Sequence, residues 1–460
     1  MLPSFNQIRS LTIVVAGLVN CLAVTGTAAA VESPSRVSYW KEVRPIFLRS
    51  CVSCHEPAKM KGKLDLTGHA ALLKGGKGGP GVIPGQPDKS PVIEQTRGDM
   101  PEMPEKGEPL GSDEVKLIAR WIEQGAINDT PKGASLLATA PMPTAPPIYR
   151  TLPTIAAVAW SGDVIAVAGY HEVLLHRADG SGIEARLPSP SPQITSVTFS
   201  RDGRLLLAAG GAPGLFGHLD VWNVDNHEHR LGLDVSGDTL FGGCFSPAGD
   251  RIGVGCADRT ARVIDRAGGQ ESLRFESHSD WVLGTQFTPD GTQLITASRD
   301  KNLKLFPVAS TQPSLDVLEP QEPLSCVARH PTEGMVTVGS ASGALNVYRV
   351  TDLKPRTEQK KDPNLVRSIE RQPGPVNALA YSADGQWLAV ASTGEVRIFS
   401  GSDGKRVAIL GGHQGPVFGV AFSPDGTQIC TAGYDGQLRV FNRGTQKLVK
   451  SWDAVPISKP

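Results

Sequence analysis

One pattern of apolar and polar positions recurs seven times between residues 151 and 455. In each unit a short apolar strand ends in a glycine-containing turn, a second apolar strand follows, as from Gln293 to Ala297, and a polar turn leads into a third. The glycines of the first turns are Gly162, Gly203, Gly249, Gly291, Gly334, Gly385 and Gly426. Their spacing averages 44 residues, a period typical of four-stranded propeller blades. The pattern therefore predicts an all-β propeller of seven blades.

A propeller ring must close between its first and last blades to protect their edges. Lys447 to Trp452 could supply the outer strand of the last blade, and Ile148 to Leu152 could do so instead. The longest spacing between turns holds a segment from Thr351 to Gly374 that is rich in Lys, Arg and Pro. We expect this segment to be a solvated surface excursion rather than a docking loop.

Turns such as Ser423 to Gly426, together with the period, make the units similar to WD repeats. This resemblance covers about 300 residues and is specific for architecture, not for a ligand. It implies that His278 with Asp300, and His413 with Asp435, form buried hydrogen bonds with a structural role. The other histidines of the region are expected on surfaces: His171, His176, His218, His227, His229 and His330.

Residues 31 to 131 show a helical spacing instead. One apolar stripe is formed by Tyr39, Trp40, Val43, Ile46 and Phe47, with Pro45 expected to bend the segment. A second helix is predicted from Ser112 to Gln124, with Ser112 as its N-cap and Gly125 as its stop. The passage from Gly75 to Pro91 is rich in glycine and proline, which predicts an ordered loop.

The stretch Cys51-Val52-Ser53-Cys54-His55 has the C-x-x-C-H pattern of c-type haem attachment. Two thiols at this spacing can add to the two vinyl groups on one edge of a porphyrin, and the adjacent imidazole can reach the iron. A zinc site would need further ligands, and the sequence has no second C-x-x-C. We therefore expect Cys51 and Cys54 to hold one covalent haem c and His55 to bind its iron.

The residues around this motif resemble the planctomycete-type cytochrome c domain. The V-R-P-I-[LF] pattern of that family is matched from Val43 to Phe47, and its later glycine-rich patterns are matched from Gly62 to Gly76 and from Gly79 to Ser90. Its terminal R-W-I-x-x-G-A is matched from Arg120 to Ala126. The resemblance implies an all-α, cytochrome c-like haem domain over residues 31–131.

The sixth ligand of the iron is expected in the loop before the last helix, which offers Met100 and Met103 beside prolines. Ligation by His and Met raises the reduction potential of a haem. The resemblance assigns the distal role to Met103, although Glu102 and Glu105 replace an Arg and a Pro of the family pattern. Met100 stays the second candidate. His69, a conceivable alternative ligand, is expected at a surface position of a helix.

The first 30 residues predict an export signal. Arg9 ends a short charged region, Leu11 to Val24 is apolar, and small residues up to Ala30 predict cleavage after that residue. We expect no stable transmembrane segment after cleavage, and a periplasmic or otherwise exported location. Residues 132–150 are rich in proline, which predicts a semi-rigid linker between the two domains.

Charge and cysteine content narrow the choice of function. The sequence has 46 basic and 46 acidic residues, so we expect no nucleic-acid partner. The cysteines outside the signal and the haem motif are expected in strands, as buried small hydrophobes rather than disulfides: Cys244, Cys256, Cys326 and Cys430.

These features predict an electron-transfer protein rather than an enzyme. Its redox partner proteins, of unknown identity, would dock on the propeller or at the haem edge. One alternative is an oxidoreductase with a second cofactor in the propeller. The cytochrome–propeller enzymes that work this way have eight blades, against seven units here. The other alternative is a scaffold protein whose haem is ancillary. A second chromophore in the spectrum would favour the enzyme.

Overall fold

A computed structural model of the chain describes residues 36–51, 55, 61–66, 68–98, 101–104, 109–129, 148–309, 315–318, 321–354 and 362–458. The predicted export signal, Cys54, Met100 and residues 132–147 of the predicted linker lie outside them. The described residues form two regions of different construction, a helical region before the linker and an all-β region after it.

The helical region consists of short pieces. They are a π-helical turn at Tyr39–Val43, α1 at Arg44–Ser50, a 3-10 turn at Lys61–Lys63, α2 at His69–Lys74, a 3-10 turn at Pro87–Lys89, α3 at Pro91–Thr96 and α4 at Ser112–Glu123. Pro45 lies in the first turn of α1, where a missing N–H breaks no helical hydrogen bond, and the helix changes from π to α just before it. The predicted cap of α4 was one residue late, because Gly111 is the N-cap and its N–H donates to Glu114 Oε2 at 3.1 Å.

One apolar core holds these pieces together. It contains Tyr39, Val43, Ile46 and Phe47 of the predicted stripe but not Trp40, and its other large members are Leu72, Ile93, Ile118, Trp121 and Ile122. Two backbone donors fix the start of the described chain to the end of α4. The N–H of Val37 donates to Gln124 Oε1 at 2.7 Å, and the N–H of Trp40 donates to Asp129 Oδ1 at 2.8 Å.

The all-β region is a ring of seven blades, each an antiparallel sheet of four consecutive strands. The first four blades comprise β1 Val158–Ser161, β2 Val164–Ala168, β3 Glu172–Arg177, β4 Ile183–Pro188; β5 Gln193–Phe199, β6 Leu205–Ala212, β7 Phe216–Asn223, β8 His229–Ser236; β9 Leu240–Phe245, β10 Arg251–Cys256, β11 Ala261–Asp265, β12 Glu271–Phe275; and β13 Val282–Phe287, β14 Gln293–Ser298, β15 Leu303–Pro307, β16 Leu315–Leu318. The last three comprise β17 Leu324–Arg329, β18 Met335–Ser340, β19 Leu345–Arg349, β20 Leu365–Ile369; β21 Ala378–Tyr381, β22 Trp387–Ala391, β23 Val396–Ser400, β24 Arg406–Leu410; and β25 Val417–Phe422, β26 Gln428–Gly433, β27 Gln437–Asn442, β28 Leu448–Asp453.

The recurring turn joins the first and second strands of a blade and is stabilised by its own side chains. In the last blade Ser423 Oγ donates to Asp425 Oδ1 at 2.6 Å, and the same carboxylate oxygen accepts the N–H of Thr427 at 3.0 Å. Gly426 has a φ of 67°, a left-handed conformation that favours glycine. The same hydroxyl–aspartate turn recurs in the second, fourth and sixth blades, at Ser200, Thr288 and Ser382.

The last blade takes its outer strand from the C-terminal side, as β28, and not from Ile148 to Leu152. Tyr149 instead pairs with the segment after β28, because its N–H donates to the carbonyl of Pro456 at 2.7 Å and its carbonyl accepts the N–H of Ser458 at 3.1 Å. The packed part of the propeller therefore begins at Tyr149, inside the segment expected to be linker.

The expected excursion from Thr351 to Gly374 was wrong in part. Leu365–Ile369 is β20, the outer strand of the fifth blade, and it pairs with β19. The blade needs this strand, so only the residues before it are additional. None of the helices in the described parts of the chain has the length and apolar character needed to span a bilayer.

Candidate haem site and propeller surfaces

The haem-attachment motif begins where α1 ends. Cys51 is the C-cap of α1, and its N–H donates to the carbonyl of Phe47 at 2.9 Å. The N–H of His55 donates to the carbonyl of Cys51 at 3.1 Å, a spacing of four residues that corresponds to one helical turn. The carbonyl of His55 in turn accepts the N–H of Leu66 at 2.8 Å. Cys51 and His55 are therefore held one turn apart.

The residues present fit a covalently held haem. Cys51 carries a half-buried thiol that packs against the apolar core. Apolar surroundings beside a thiol, with an imidazole one turn away, are what a porphyrin held by a thioether and an iron–nitrogen bond requires. Cys54, the second predicted thioether, lies outside the described residues.

Met103 belongs to the same small domain. It is half-buried, and its N–H donates to the carbonyl of Gln95 in α3 at 2.9 Å. Because α3 packs against α4, this hydrogen bond ties the methionine loop to the core on which Cys51 also packs. Met100 lies outside the described residues, so the choice of distal ligand stays a prediction.

His69 is not at the surface position that we expected. Its ring is half-buried between Tyr39 and Trp121, with centroid distances of 4.9 and 5.9 Å, and its Nε2 lies 2.7 Å from the carbonyl of Ala126. The sequence spacing placed it on a helix but gave no sign of this aromatic cluster, which forms only when α2 meets α4.

Two polar residues beside the motif were missed by the sequence analysis. Arg44 and Tyr39 are each 1 % exposed, although Arg44 was read only as part of the family pattern and Tyr39 only as part of an apolar stripe. Their side-chain polar atoms are buried without hydrogen-bond partners. An arginine inside an apolar stripe was the signal that could have identified them.

The two histidine pairs predicted in the propeller are confirmed. His278 Nδ1 lies 2.8 Å from Asp300 Oδ2 and its Nε2 lies 2.7 Å from Thr296 Oγ1. His413 stands in the same way between an aspartate and a threonine of the last blade. Burial tends to raise the pKa of Asp300, but its hydrogen bond with His278 outweighs burial and holds that pKa well below its ordinary value. Both sites are closed structural networks.

The expectation that the remaining histidines lie on surfaces was wrong for four of them. His171, His176, His218 and His330 are all buried. His229 is exposed, as expected, and His227 is half-buried. The sequence did not reveal this burial, because in the ring neighbouring blades cover both faces of a sheet.

His218 lies between two buried carboxylates of the second blade. Its Nδ1 is hydrogen-bonded to Asp234, and its Nε2 lies 3.1 Å from Asp220 Oδ1. Asp220 also receives hydrogen bonds from Ser189 at 2.6 Å and from His229 at 2.7 Å. Burial tends to lower the pKa of His218, but the two carboxylates outweigh it and raise that pKa to about 9.

The cysteines of the propeller are free thiols, as expected. Each lies on a strand, and Cys244, Cys256 and Cys430 are buried. Burial raises the pKa of Cys244 to about 11 and that of Cys256 to about 12, so both thiols stay protonated and unreactive near neutral pH.

A channel of about 890 Å³ follows the axis of the ring. It is lined by the inner strand of each blade, mainly with Ala, Gly, Ser, Thr and Val side chains. The ionisable groups along it are few and of different kinds, namely Arg201, Cys326 and Tyr381. No histidine is among the residues that line it.

Exposed aromatic side chains collect at one end of the ring. Strands alternate in direction, so the turns between the second and third strands share an end with the connections between blades. Tyr170 and Tyr434 lie in such turns and are 50 % and 61 % exposed. Trp281 lies in a connection between blades, is 39 % exposed, stacks on Phe241 and carries the guanidinium of Arg299 at 4.2 Å. We call Tyr170, Trp281 and Tyr434 the aromatic end.

Known proteins match the two regions separately. The planctomycete cytochrome C family model matches residues 51–107. The model of the WD domain, G-beta repeat, matches residues 269–306, 363–400 and 404–442. Each of these matches begins before the outer strand of one blade and covers strands of the next, so the sequence repeat is offset from the blade.

Curated proteins with similar sequences are WD-repeat proteins. Periodic tryptophan protein 2 of Saccharomyces cerevisiae is 23% identical over 292 residues, which is 54% of this chain and 30% of that protein. An uncharacterized WD repeat-containing protein of Synechocystis is 44% identical over 87 residues, 18% of this chain and 25% of that protein. The chain thus spans about a quarter to a third of the length of these relatives. Taken with the strand order, these matches show that the chain carries a planctomycete cytochrome c domain followed by WD repeats that form a seven-bladed β-propeller.

Proposed function

We propose that this chain is an exported c-type cytochrome that transfers single electrons through one covalent haem. Cys51 and Cys54 would form the two thioethers, and His55 would bind the iron. The observation that carries the proposal is the Cys51–His55 turn, which lies on the apolar core inside the segment that matches the cytochrome family. The haem supplies the one-electron chemistry when bound.

The protein's own part is to hold and shield that group. His55 is positioned through both ends of its backbone, by the carbonyl of Cys51 and by the N–H of Leu66. Met103 would provide the distal thioether from a loop tied to α3, with Met100 as the second candidate. A His/Met pair raises the reduction potential, which suits a carrier that accepts electrons.

Export is part of the proposal because c-type haem is attached outside the cytoplasm in bacteria. The charged start, apolar run and small residues before residue 31 have the composition of a signal peptide. The mature protein would then act in the periplasm or an equivalent compartment.

The propeller would serve as the docking platform for a redox partner protein. Its support is the aromatic end, where Tyr170, Trp281 and Tyr434 present apolar surface to solvent. Tyrosine, tryptophan and arginine are enriched at protein interfaces, and Arg299 stacked on Trp281 adds the third of these residue types.

A redox titration of the full chain, produced with haem-maturation machinery and monitored by absorption, tests the proposal. We expect a c-type spectrum that follows a single one-electron Nernst curve. Met103→Ala should remove the thioether–iron charge-transfer band, and Met100→Ala is the matched control that should keep it. A second chromophore, or more than one electron per chain, would contradict the electron-carrier proposal.

A further inference from the structure

The guanidinium of Arg44 is buried without a hydrogen-bond partner. Arg44 is 1 % exposed, and Nε, Nη1 and Nη2 are all closed off from solvent and unbonded. The ring of Trp40 covers the group, with Cζ 4.4 Å from the ring centroid. An aromatic ring compensates only part of the cost of removing a charge from water, so a guanidinium in this position needs an anion.

Tyr39 carries a second buried polar group without a hydrogen-bond partner, and it interacts electrostatically with Arg44. The N–H of Val43 donates to the carbonyl of Ser38 at 3.2 Å, five residues back, so this π-helical turn brings residues five apart onto one face. Tyr39 and Arg44 are five apart. The Tyr39 hydroxyl is buried and unbonded, and its ring is fixed by stacking on Trp121 at 5.3 Å. Burial raises the pKa of Tyr39 to about 12, so the hydroxyl remains a neutral donor.

We propose that Arg44 and Tyr39 together bind a propionate of the haem held by Cys51, an inference that rests on the proposed function. A guanidinium and a hydroxyl on one face provide the donors that a carboxylate accepts. Arg44 and Cys51 lie at opposite ends of α1, a seven-residue helix. A haem likewise carries its vinyl groups and its two carboxylates at different edges, so one rigid helix can serve both.

Two acidic side chains of the chain act electrostatically on this pair, Asp65 on Tyr39 and Asp234 on Arg44. Neither accepts a hydrogen bond from the guanidinium or the hydroxyl. Asp234 already accepts one from His218. Within the described residues, the carboxylates therefore leave the donors of Arg44 and Tyr39 without a hydrogen bond.

The test compares reduction potential with pH for the haem-loaded full chain and its Arg44→Gln variant. A propionate paired with Arg44 stays ionised across the range, so we expect a nearly flat curve for the parent. In Arg44→Gln the propionate should titrate, so the potential should fall as pH rises and should lie below that of the parent at high pH. Arg120→Gln removes the same charge from an exposed position in α4 and should leave the curve flat.

The possible outcomes test the propionate site and the proposed function separately. Equal curves for Arg44→Gln and Arg120→Gln, with haem attached, would overturn the propionate site and leave the proposed function intact. A parent protein without covalent haem would overturn both. If Arg44→Gln does not fold, Arg44→Lys can replace it, because lysine keeps the charge but lacks the planar guanidinium. The slope of its reduction potential against pH should lie between the flat curve of the parent and the slope expected for Arg44→Gln. Asp234→Asn should not alter the dependence of the potential on pH. If it gave the curve expected for Arg44→Gln, Arg44 would pair with Asp234 and not with a propionate.

Discussion

The two regions of this chain differ in how they accommodate a buried arginine. In the propeller the buried Arg262 donates through all three of its nitrogens, to Thr260, Asp258 and the carbonyl of Val235. In the cytochrome domain Arg44 has no hydrogen-bond partner at any of its three nitrogens. The polypeptide thus satisfies the buried guanidinium of the propeller but not that of the small helical domain.

Core construction shows the same contrast. Apolar clusters of the propeller join neighbouring blades, as where Leu174 and Val167 of the first blade pack with Cys430 and Val440 of the last. Every blade is therefore supported on two sides. The cytochrome domain has one cluster formed by short helices, and isolated helices of this length are marginal in water. We therefore expect the stability of this domain to depend on the proposed haem.

Loss of the haem should have the largest effect and should separate the two regions. We expect Cys51→Ala with Cys54→Ala to abolish covalent haem and the unfolding transition of the cytochrome domain. The free energy of unfolding of the propeller should change by less than about 0.5 kcal/mol, because both residues precede its first strand in the sequence. Calorimetry and far-UV circular dichroism of the full chain measure both. Cys326→Ala, in the propeller, is the control and should keep the haem; if both transitions vanish with the haem, the regions are not independent.

Breaking the closure of the ring should give the next largest effect, in the opposite region. Glu172 is 1 % exposed and accepts from Tyr149 Oη at 2.7 Å and from Arg186 at 2.6 and 2.7 Å. Arg186→Met leaves this buried carboxylate without its charge partner, which should cost the propeller about 3–4 kcal/mol in urea unfolding. Arg406→Met breaks an exposed ion pair with Glu370 and should cost less than about 1 kcal/mol. Equal losses of unfolding free energy in Arg186→Met and Arg406→Met would show that Glu172 does not stabilise the closure of the ring.

Alkaline pH should weaken the propeller through His218. Its pKa is raised to about 9 in the folded protein by Asp220 and Asp234, against 6.5 in the unfolded chain. The stabilisation is therefore fully present below pH 6.5 and is lost as pH rises through 9, up to about 3 kcal/mol. Urea unfolding at pH 6, 8 and 10, at fixed ionic strength, should show this fall, and His218→Gln should flatten it.

Acid should weaken the propeller through His176, with the opposite sign. Its Nδ1 accepts the indole N–H of Trp452 at 3.1 Å and its Nε2 donates to the carbonyl of Ala454 at 2.9 Å, so the ring is neutral. Burial lowers its pKa to about 4, so stability is present above pH 6.5 and is lost as pH falls through 4, by about 3 kcal/mol. His176→Gln should remove this acid loss and leave the alkaline loss of His218 unchanged. If His176→Gln changed both the acid and the alkaline dependence of the unfolding free energy, the titrations of His176 and His218 would be coupled.

Changes at the aromatic end should have the smallest effect on folding. Tyr434→Ala removes an exposed side chain and should change the free energy of unfolding by less than about 0.5 kcal/mol. Electron exchange with native redox proteins, followed by stopped-flow absorption, should slow by about tenfold if Tyr434 is an interface anchor. Ile409→Ala, on the outer strand β24, is the control for an exposed apolar residue away from this end. Equal rates for both variants would contradict docking there.

The propeller was largely predictable because four of its seven blades use the same turn between their first two strands. Turns such as Ser423 to Gly426 need a hydroxyl, a carboxylate and a left-handed glycine at fixed spacing. The outer strand β20 was missed because apolar and polar residues alternate less strictly in outer strands. The Lys- and Arg-rich residues around it also made the segment look like a surface loop. Burial of His218 was missed because its partner Asp234 meets it only through the pairing of β7 with β8.

In the helical domain the chemistry was more predictable than the packing. Cys51 and His55 are fixed by local spacing, and the structure holds them one turn apart as that spacing implies. The half-burial of His69 depends on contact between α2 and α4, for which adjacent residues give no signal. The unpaired state of Arg44 depends on the absence of nearby acceptors, and no sequence pattern reports an absence.

The measurement that tests the central claim most directly is the intact mass of the mature chain, produced with haem-maturation machinery and extracted with acidified acetone. The account predicts that the pigment stays with the polypeptide and that the mass exceeds that of the mature chain by one haem. Cys51→Ser with Cys54→Ser should then release the pigment or accumulate none. A colourless parent chain, or one that gives up its pigment to the solvent, would contradict the account.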